Sequence, residues 1–486
     1  MSSRTFSSPW RLRQIGSLAA WPALSLVALS ASGGPAEPAD PGGPIAVAAA
    51  AATKCVTPDG QTLFDSAFPG TNGRSCATCH VPEDHFGLTP AHVAATLAAN
   101  PNDPLFNPID ADDPTAAVPT YEHLKKGLVR VTIKLPDNMD LLDFVGNVVT
   151  PPDRKFSVWR AVPTIENSAI TAPYQYDGRE ATLQSQAQGA ITAHSQGGAV
   201  SAADLNAIAD FQSGEFTSNR AKKVADKLAQ GWPVDKIKIP EDQMDELTAQ
   251  QSRGRDLYNK ACEPCHGGAT THQIVNRAVH DFSFPALKSD GTVLFDETVT
   301  PPQREFASRP NDEFLNIGLA NISYLGQLGF PGVFNSTVPL PQYRYRFYTD
   351  ATRTTAQMDL PPIPVFDPNN PFLPATDAAG APIVGPNFLP QFWSTDPGRA
   401  AITGDPYDFE AFDVPALRGI ANTAPYFHDN SAETLRDAVN VYSRFILNFF
   451  PMLNLPLVNP PEAGSFFAES FTPDQKDDLI AFLQIL

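Results

Sequence analysis

The chain has 486 residues, of which 42% are hydrophobic, and it carries a formal net charge of −19. This length and apolar content are sufficient for two ordinary domains whose cores need no disulfide bonds. Nucleic-acid phosphates bind to basic surfaces, so the acidic balance argues against a nucleic-acid-binding protein. It is compatible with solubility alone or with a small basic redox partner.

The N-terminal region has the composition of an export signal. Three arginines precede a mostly apolar run over residues 15–31, and a Gly-, Pro- and Ala-rich stretch follows. This order predicts a secretory signal peptide over residues 1–31 and a flexible leader over 32–54, and therefore an exported, periplasmic protein. Cleavage at the end of the apolar run and cleavage in the alanine run at 47–52 both fit the sequence. A membrane anchor is the alternative, but the run contains Pro22 and is shorter than the ~20 residues that a spanning helix requires. We therefore expect no membrane span in the mature protein.

Two Cys-x-x-Cys-His motifs occur, one at residues 76–80 and one at 262–266. Covalent haem attachment requires two thiols that add across the vinyl groups and a His that follows directly and reaches the iron. A zinc site built from both Cys pairs is the alternative, but zinc requires no His after each pair, and no zinc-ribbon spacing is present. We therefore predict two covalently bound haem c groups. Their attachment residues are Cys76, Cys79, Cys262 and Cys265, and their proximal iron ligands are His80 and His266. The fifth cysteine, Cys55, lies outside both motifs and is either a free thiol or part of an intermolecular disulfide.

The chain contains an internal repeat, and one copy of it follows each motif. Residues 162–183 align without gaps to residues 414–435, with ten identities in 22 positions. Duplication of a single-haem unit explains this pattern and predicts two haem domains, at 55–235 and 236–486. The second copy lies further from its motif than the first, and residues 285–410 are rich in Pro, Asp and Asn. They predict a loop-rich insertion in the second domain.

Helical patterns lie around the second motif. Residues 241–261 predict a helix that runs into Cys262, and residues 432–445 predict another. In the last segment, 472–486, Thr472 is a suitable N-cap and an apolar stripe follows, which predicts a terminal helix packed on its domain.

The chemistry of each haem depends on its sixth iron ligand, because a closed iron transfers electrons and an open one can bind peroxide or oxygen. Near the first motif, His85 or His92 could ligate an iron or lie at the surface. His194 lies just beyond the first repeat copy, where a distal-pocket residue could lie. Near the second motif, the candidates are His428 and Tyr442.

Several other side chains have weaker signals. Tyr176 and Trp159 are interpreted either as an electron relay between the haems or as ordinary packing residues. Three further candidates are Met358 and Met452 as sulfur ligands and His272 at a haem propionate. His123 and His280 carry no local signal and are predicted to be structural.

In these residues the sequence resembles the bacterial di-haem cytochrome c peroxidase family, which includes the MauG type and has di-haem rubber oxygenases as more distant relatives. The resemblance covers roughly residues 60–200, 250–285 and 405–486. Besides the haem motifs, it depends on the segment Asp177, Gly178, Arg179 with the following Gln186, and on the Thr-Ala-Pro-Tyr-Phe-His-Asp run at 423–429.

The resemblance implies a mainly α fold of two cytochrome c-like helical domains, with the haems facing a shared interface and often a calcium ion between them. It implies that the N-terminal haem reacts with hydrogen peroxide or another small oxidant. The C-terminal haem would receive electrons from a small redox protein. MauG-type proteins have a tyrosine where the peroxidases place a Met on the C-terminal iron, so Tyr442 is the first choice for that ligand and His428 the second.

Three departures from the family pattern affect the predicted catalytic residues. Tyr176 replaces the inter-haem Trp, Ala190 replaces a pocket Pro, and Gln196 replaces the acid ten positions past Gln186. Peroxide cleavage needs a group that takes and returns a proton, which Gln cannot do, whereas His194 could. The catalytic candidates are therefore Tyr176, Gln186, His194 and Gln196.

Three functional hypotheses follow. The first is a cytochrome c peroxidase-like oxidoreductase. The second is a di-haem oxygenase or MauG-like enzyme that uses the same haem pair on an organic or protein substrate. The third is a purely electron-transferring cytochrome in which both irons are closed.

Overall fold

The computed structural model describes most of the chain from residue 59 onward. The described residues are 59–143, 146–244, 246–276, 279, 295–296, 303–304, 314–315, 340–360, 366–367, 370–374, 394–447, 450, 453–455 and 469–486. The predicted signal peptide and leader lie outside them, as do Cys55, His280 and Met452. Val56–Leu486 forms one compact unit. The boundary between two haem domains stays a prediction.

The longer helices begin at polar side chains that accept a hydrogen bond from the backbone N–H three residues further on, which satisfies a donor of the first turn. These caps are Asp59, Thr89, Thr182, Ser201, Ser218, Thr248, Thr434 and Thr472. The helices are α1 (Gly60–Asp65), α2 (Pro90–Ala99), α3 (Leu183–Ala193), α4 (Ala202–Gly214), α5 (Asn219–Ala229), α6 (Ala249–Ala261), α7 (Ala400–Thr403), α8 (Leu435–Val441) and α9 (Pro473–Leu483). Short 3₁₀ turns lie at Cys76–Thr78, Pro82–Asp84, Pro104–Phe106, Pro108–Asp110, Leu124–Lys126, Ser168–Ile170, Val234–Lys236, Pro240–Gln243, Pro406–Asp408 and Ile420–Asn422.

The C-terminal helix is confirmed, whereas the helix predicted over 241–261 is shorter, because it begins only at Ala249. Helix α6 ends at Ala261, directly before Cys262. Helix α9 has Thr472 as its N-cap and buries Leu479, Phe482 and Leu483. The helix predicted over 432–445 is shorter, because α8 ends at Val441 and the chain continues as a π-helical turn, Tyr442–Ile446.

Two close helix crossings precede the two motifs. Helix α1 packs on α4, and α6 packs on α9. A Cβ added to Gly60 would lie 1.9 Å from the carbonyl oxygen of Ala207, and one added to Gly254 would lie 2.0 Å from that of Asp478. Only glycine therefore allows either pair of backbones to approach so closely.

Antiparallel strands, which the sequence did not predict, accompany the helices. The strands are β1 (Leu128–Lys134), β2 (Met139–Leu142), β3 (Lys155–Ala161), β4 (Phe295–Asp296), β5 (Gln303–Arg304), β6 (Phe314–Leu315), β7 (Arg344–Tyr348), β8 (Ala356–Leu360), β9 (Phe366–Asp367), β10 (Asn370–Pro374) and β11 (Phe412–Asp413). Strand β1 pairs with β3 from Leu128 opposite Ala161 to Lys134 opposite Lys155. The other sheets have the orders β2–β7–β8, β9–β10, β6–β11 and β4–β5. The expectation of a mainly α fold is thus confirmed only in part. The β-branched Val129, Val131 and Ile133, which are all buried, favour a strand at β1.

The region predicted as a loop-rich insertion contributes to the core beside the first motif. Strand β7 pairs with β2, with Met139 opposite Phe347. Tyr345 and Phe347 are fully buried in the same cluster as Val131 and Val158 of the β1–β3 pair. A second cluster joins α6, α8 and α9 beside the second motif.

Candidate cofactor site

The first motif forms a single tight turn that brings its His onto the wall of a cavity. The backbone N–H of His80 donates to the carbonyl of Cys76 at 2.9 Å, so the two cysteines and the His share one turn. The Nδ1 of His80 donates to the carbonyl of Phe86 at 2.9 Å. This contact is possible because His85 and Phe86 both have positive φ, of 52° and 59°, and turn the chain back toward the motif.

The second motif repeats this geometry. The backbone N–H of His266 donates to the carbonyl of Cys262 at 2.8 Å. Its Nδ1 donates to the carbonyl of Pro415 at 2.9 Å, and its Nε2 lies 3.2 Å from the hydroxyl of Tyr442. Proximal haem ligands commonly donate Nδ1–H to a carbonyl, because this fixes the ring and leaves Nε2 for the metal. Burial lowers the pKa of His266 to about 4, and burial also lowers that of His80, so both rings are neutral, as an iron ligand must be.

The four motif cysteines are free thiols that no disulfide links. Burial raises the pKa of Cys76 to about 12 and that of Cys79 to about 11. At the second motif, burial raises the pKa of both Cys262 and Cys265 to about 12. Each pair of thiols lies on one turn with the His that follows it, which is the arrangement that thioether attachment of a haem requires. The donor sets at both motifs fit covalently attached haem.

The two repeat copies fold alike. Each contains a 3₁₀ turn, at Ser168–Ile170 and at Ile420–Asn422. In each, a Tyr hydroxyl donates to a carbonyl at the start of that turn, from Tyr174 to Ser168 at 3.0 Å and from Tyr426 to Ile420 at 2.9 Å. Each then ends in a Thr that caps the next helix, α3 or α8. The predicted duplication therefore extends to the hydrogen bonds.

One cavity of about 360 Å³ reaches both motifs. Its walls include His80 from the first motif and Cys262, Cys265 and His266 from the second. Both repeat copies contribute to its walls over most of their length, from Val162 to Leu183 and from Val414 to Leu435. A largely apolar space lined by a few polar side chains is the usual form of a cofactor site.

Tyr442 and His428, the two predicted ligand candidates, both line this cavity but differ in their contacts. The hydroxyl of Tyr442 faces Nε2 of His266 from a π-helical turn, a distortion that is frequent at functional sites. Burial, with smaller contributions from Cys262 and Cys265, raises the pKa of Tyr442 well above its ordinary value. His428 is 2% exposed and stacks on Phe412 with ring centroids 4.0 Å apart. Neither of its ring nitrogens has a hydrogen-bond partner among the described residues.

The four predicted catalytic residues lie in two different environments. Tyr176 and Gln186 line the cavity, and the Tyr176 ring is edge-on to His428 at 6.4 Å. His194 caps the C-terminus of α3 and does not line the cavity, although it is close enough to His80 to lower that residue's pKa. Gln196 is exposed, and its side-chain oxygen accepts a hydrogen bond from Asn72. The structure therefore brings Tyr176 and Gln186 together with both motifs and leaves His194 and Gln196 outside the cavity wall.

The side chains with weaker sequence signals also lie in different environments, some on the cavity wall and some outside it. His85 lines the cavity, and its Nδ1 lies 3.4 Å from a carboxylate oxygen of Glu166. His92 belongs to α2, outside the cavity. His272 lines the cavity, with Nε2 3.6 Å from a carboxylate oxygen of Asp413. Met358 belongs to β8, where it pairs with Phe347.

Sequence reasoning missed Arg160 and Asp396, two polar residues that form a buried network with Asp177. Arg160 is buried and binds the carboxylates of Asp177 and Asp396 at 2.6–2.9 Å. Its sequence context, a strand of alternating apolar residues, gives no sign of this network.

Within the described residues no group of three or more His, Cys, Asp or Glu side chains could hold a metal ion, and a calcium ion between the domains stays a prediction.

Part of the chain matches the model of a known protein family. Residues 60–239 match the family model described as di-haem cytochrome c peroxidase. The resemblance predicted from the sequence is therefore confirmed over that part of the chain, which holds the first motif and the first repeat copy. The match supports a di-haem oxidoreductase, and the family implies two haem cofactors.

Particular relatives are similar over parts of the chain or at low identity. A cytochrome c551 peroxidase of Nitrosomonas europaea is 35% identical over 89 residues, which are 18% of this chain. The alignment spans about a fifth of that relative, 21% of its length. Among solved structures, a MauG-like protein associated with microbial copper homeostasis is 18% identical, with a TM-score of 0.37 over 88% of this chain and 86% of that one. A diheme peroxidase of Burkholderia thailandensis is 16% identical, with a TM-score of 0.31 over 88% and 84%. These structural similarities are too weak to assign a fold or an activity.

No helix in the described part of the chain is long and apolar enough to cross a membrane.

Proposed function

We propose that the chain is a periplasmic di-haem c-type oxidoreductase that reduces hydrogen peroxide at the haem of the first motif. Electrons from a small redox protein enter through the haem of the second motif. The observation that carries this proposal is the single cavity whose walls include His80, His266 and both repeat copies. The family match over residues 60–239 supports the same class of reaction, and the signal-like N-terminal sequence supports export.

His80 and His266 would hold the two irons, and the attached thiols would be those of Cys76, Cys79, Cys262 and Cys265. When bound, each haem supplies an iron that exchanges electrons and, where one coordination position is open, binds peroxide. The carbonyl groups of Phe86 and Pro415 orient the two imidazole rings.

The two repeat copies differ at the position that decides whether an iron is closed. Helices α3 and α8 begin at the equivalent residues Leu183 and Leu435. Seven residues after Leu435 the chain has Tyr442, and seven residues after Leu183 it has Ala190. A phenol faces His266 in the second half, whereas a methyl group cannot ligate a metal. This difference supports a closed second iron for electron transfer and an open first iron for the substrate.

Peroxide reduction consumes two electrons and two protons and gives two water molecules, so a proton must move between the two oxygen atoms. His194 is our candidate for this transfer: it does not line the cavity, but it is close enough to His80 to lower that residue's pKa, and burial lowers its own pKa, so the neutral ring can accept a proton. Gln186, on the cavity wall, would orient the substrate through its amide. Tyr176, on the wall of the same cavity, would carry the electron.

Stopped-flow mixing of the mixed-valence holoprotein with hydrogen peroxide tests the proposal. We expect the optical spectrum of the first haem to change within the dead time or shortly after, and we expect steady turnover with a reduced small cytochrome. An unchanged first-haem spectrum together with no turnover would contradict the proposal.

An oxygen-using reaction on a bulky organic or protein substrate is the second candidate. It is favoured by the exposed position of Gln196, where the family has a catalytic acid. Oxygen consumption by the reduced holoprotein without added peroxide, dependent on such a substrate, would favour this reaction over the first.

A further inference from the structure

A buried histidine lies flat against a buried tryptophan outside the cofactor cavity. The rings of His123 and Trp159 are stacked, with centroids 4.4 Å apart and planes 30° from parallel. His123 is 3% exposed and Trp159 is 4% exposed. Trp159 belongs to β3, which β1 holds by continuous pairing, and His123 precedes the 3₁₀ turn Leu124–Lys126. The stack is therefore fixed from two separate segments.

Asp112 adds a negative charge to this stack. One of its carboxylate oxygens lies 2.7 Å from Nδ1 of His123 and accepts the backbone N–H of the same residue at 3.1 Å. The other accepts the backbone N–H of Glu122 at 2.8 Å. Burial raises the pKa of Asp112, but these N–H groups outweigh it and hold the pKa below its ordinary value. The carboxylate is thus ionised and fixed behind the imidazole.

The stack is connected to the cavity through Tyr176. Trp159 forms a buried cluster with Leu128, Ala161 and Leu340, and Tyr176 packs against that cluster. Tyr176 also lines the cavity together with His80. Packed side chains therefore lead from Trp159 to Tyr176, which lies on the wall of the cavity that His80 also lines.

We propose that Trp159 is an oxidisable side chain that gives one electron to the first haem after peroxide has oxidised that haem. This inference rests on the proposed function. One electron leaves the indole, passes through Tyr176 and reduces the oxidised haem by one equivalent, and Trp159 becomes a cation radical that keeps its N–H proton. The carboxylate of Asp112, acting through the His123 ring, stabilises the positive charge on the indole. A one-electron donor, the small redox protein of the proposed function, then restores the neutral indole.

The stack would hold an oxidising equivalent away from the cavity while the electron donor is absent. An aromatic pair with a partly buried, fixed carboxylate suits this role better than an isolated indole, because a nearby negative charge favours the positively charged form of its neighbour.

Freeze-quench electron paramagnetic resonance of the holoprotein mixed with hydrogen peroxide tests the inference. The protein is labelled with ring-deuterated tryptophan, so that a radical on an indole gives a narrower signal than in unlabelled protein. We expect such a signal in the parent protein and its loss in Trp159→Phe. Trp232→Phe is the matched control, since Trp232 is 49% exposed and lies outside the cavity wall; it should leave the signal unchanged.

Two further variants test the roles of the His and the Asp. In His123→Phe the stack is kept but the contact with Asp112 is lost, and in Asp112→Asn the charge is lost. Either change should lower the yield of the tryptophan radical about tenfold, as expected for removing one nearby charge. Covalent haem content and thermal unfolding, measured on each variant, confirm that the protein is folded.

The outcomes separate this inference from the proposed function. If the first-haem spectrum responds to peroxide in both proteins but the radical signal is unaltered in Trp159→Phe, the inference is wrong and the proposed function stands. If the first-haem spectrum of the parent protein does not respond to peroxide, both are overturned.

Discussion

Replacement of Asp396 by Asn should strongly destabilise the protein, because it removes a charge from a buried network. Arg160 donates from Nε and one Nη to the two carboxylate oxygens of Asp396, at 2.7 and 2.9 Å, and from its other Nη to Asp177 at 2.6 Å. The side chains of Arg160 and Asp396 are 3% and 1% exposed. An amide can accept only one of the two hydrogen bonds, and Arg160 keeps a single carboxylate partner. Breaking a buried pair in this way costs about 3–5 kcal/mol.

Urea unfolding of the holoprotein, followed by circular dichroism and by haem absorbance, measures this loss. The matched control is Asp226→Asn, which breaks the exposed pair with Lys222, where both side chains are more than half exposed. Exposed helix pairs contribute only about 0.3–0.5 kcal/mol, so the control should differ little from the parent. A loss of under about 1 kcal/mol in Asp396→Asn would refute the reasoning, since it would mean that the network contributes no more than a surface pair.

The same network predicts how stability depends on pH. Burial raises the pKa of Asp177, but the guanidinium groups of Arg160 and Arg179 outweigh it and hold the pKa below its ordinary value. A carboxylate with a lowered pKa in the folded state contributes stability that is complete above its unfolded pKa of about 3.9 and is lost as the pH falls through the folded pKa. We therefore expect this contribution to be constant at neutral pH and to disappear only in acid.

Three further predictions concern the site and its supporting helices. Gly254→Ala should lower the free energy of unfolding by about 1–3 kcal/mol, because its Cβ would overlap the backbone of α9. Gly198→Ala is the control, since open space surrounds that Cβ and the free energy of unfolding should not change. Thermal unfolding of the two variants compares them. Tyr442→Phe should convert the second haem from a low-spin to a high-spin signal in electron paramagnetic resonance and leave the first haem unaffected, and an unchanged second haem would show that Tyr442 is not its ligand. His194→Ala should slow the reaction with peroxide by about 10²–10⁴-fold, while Gln196→Ala leaves the rate unchanged; equal rates in both variants would remove His194 from the mechanism.

The haem motifs and their surroundings could be predicted from the sequence because their signals are local. A Cys-x-x-Cys-His motif defines one turn, and the N-cap at Thr472 with an apolar stripe defines one helix. The repeat alignment also predicted that Tyr176 and His428 are equivalent, and the structure brings their rings together.

What could not be predicted depends on contacts between distant segments. The pairing of β2 with β7 joins residues about 200 positions apart, and the aromatic and basic residues of β7 carry no signal for that partner. His123 has no distinctive neighbours in the sequence, yet it stacks on Trp159 because the β1–β3 pair places the indole there. The exposed position of Gln196 depends on a positive φ of 54° after α3, which no side-chain pattern specifies.

The strand pair β2–β7 also bears on where this protein could be cut. The match to the peroxidase family ends at residue 239, but the core beside the first motif does not, because Tyr345, Phe347, Ala400 and Phe409 complete it. A fragment that ended there would expose the edge of β2 and the apolar side chains that these four residues cover. The first half is therefore not a self-sufficient haem protein with a second one attached. The later part of the chain has to be synthesised before the earlier part can finish folding.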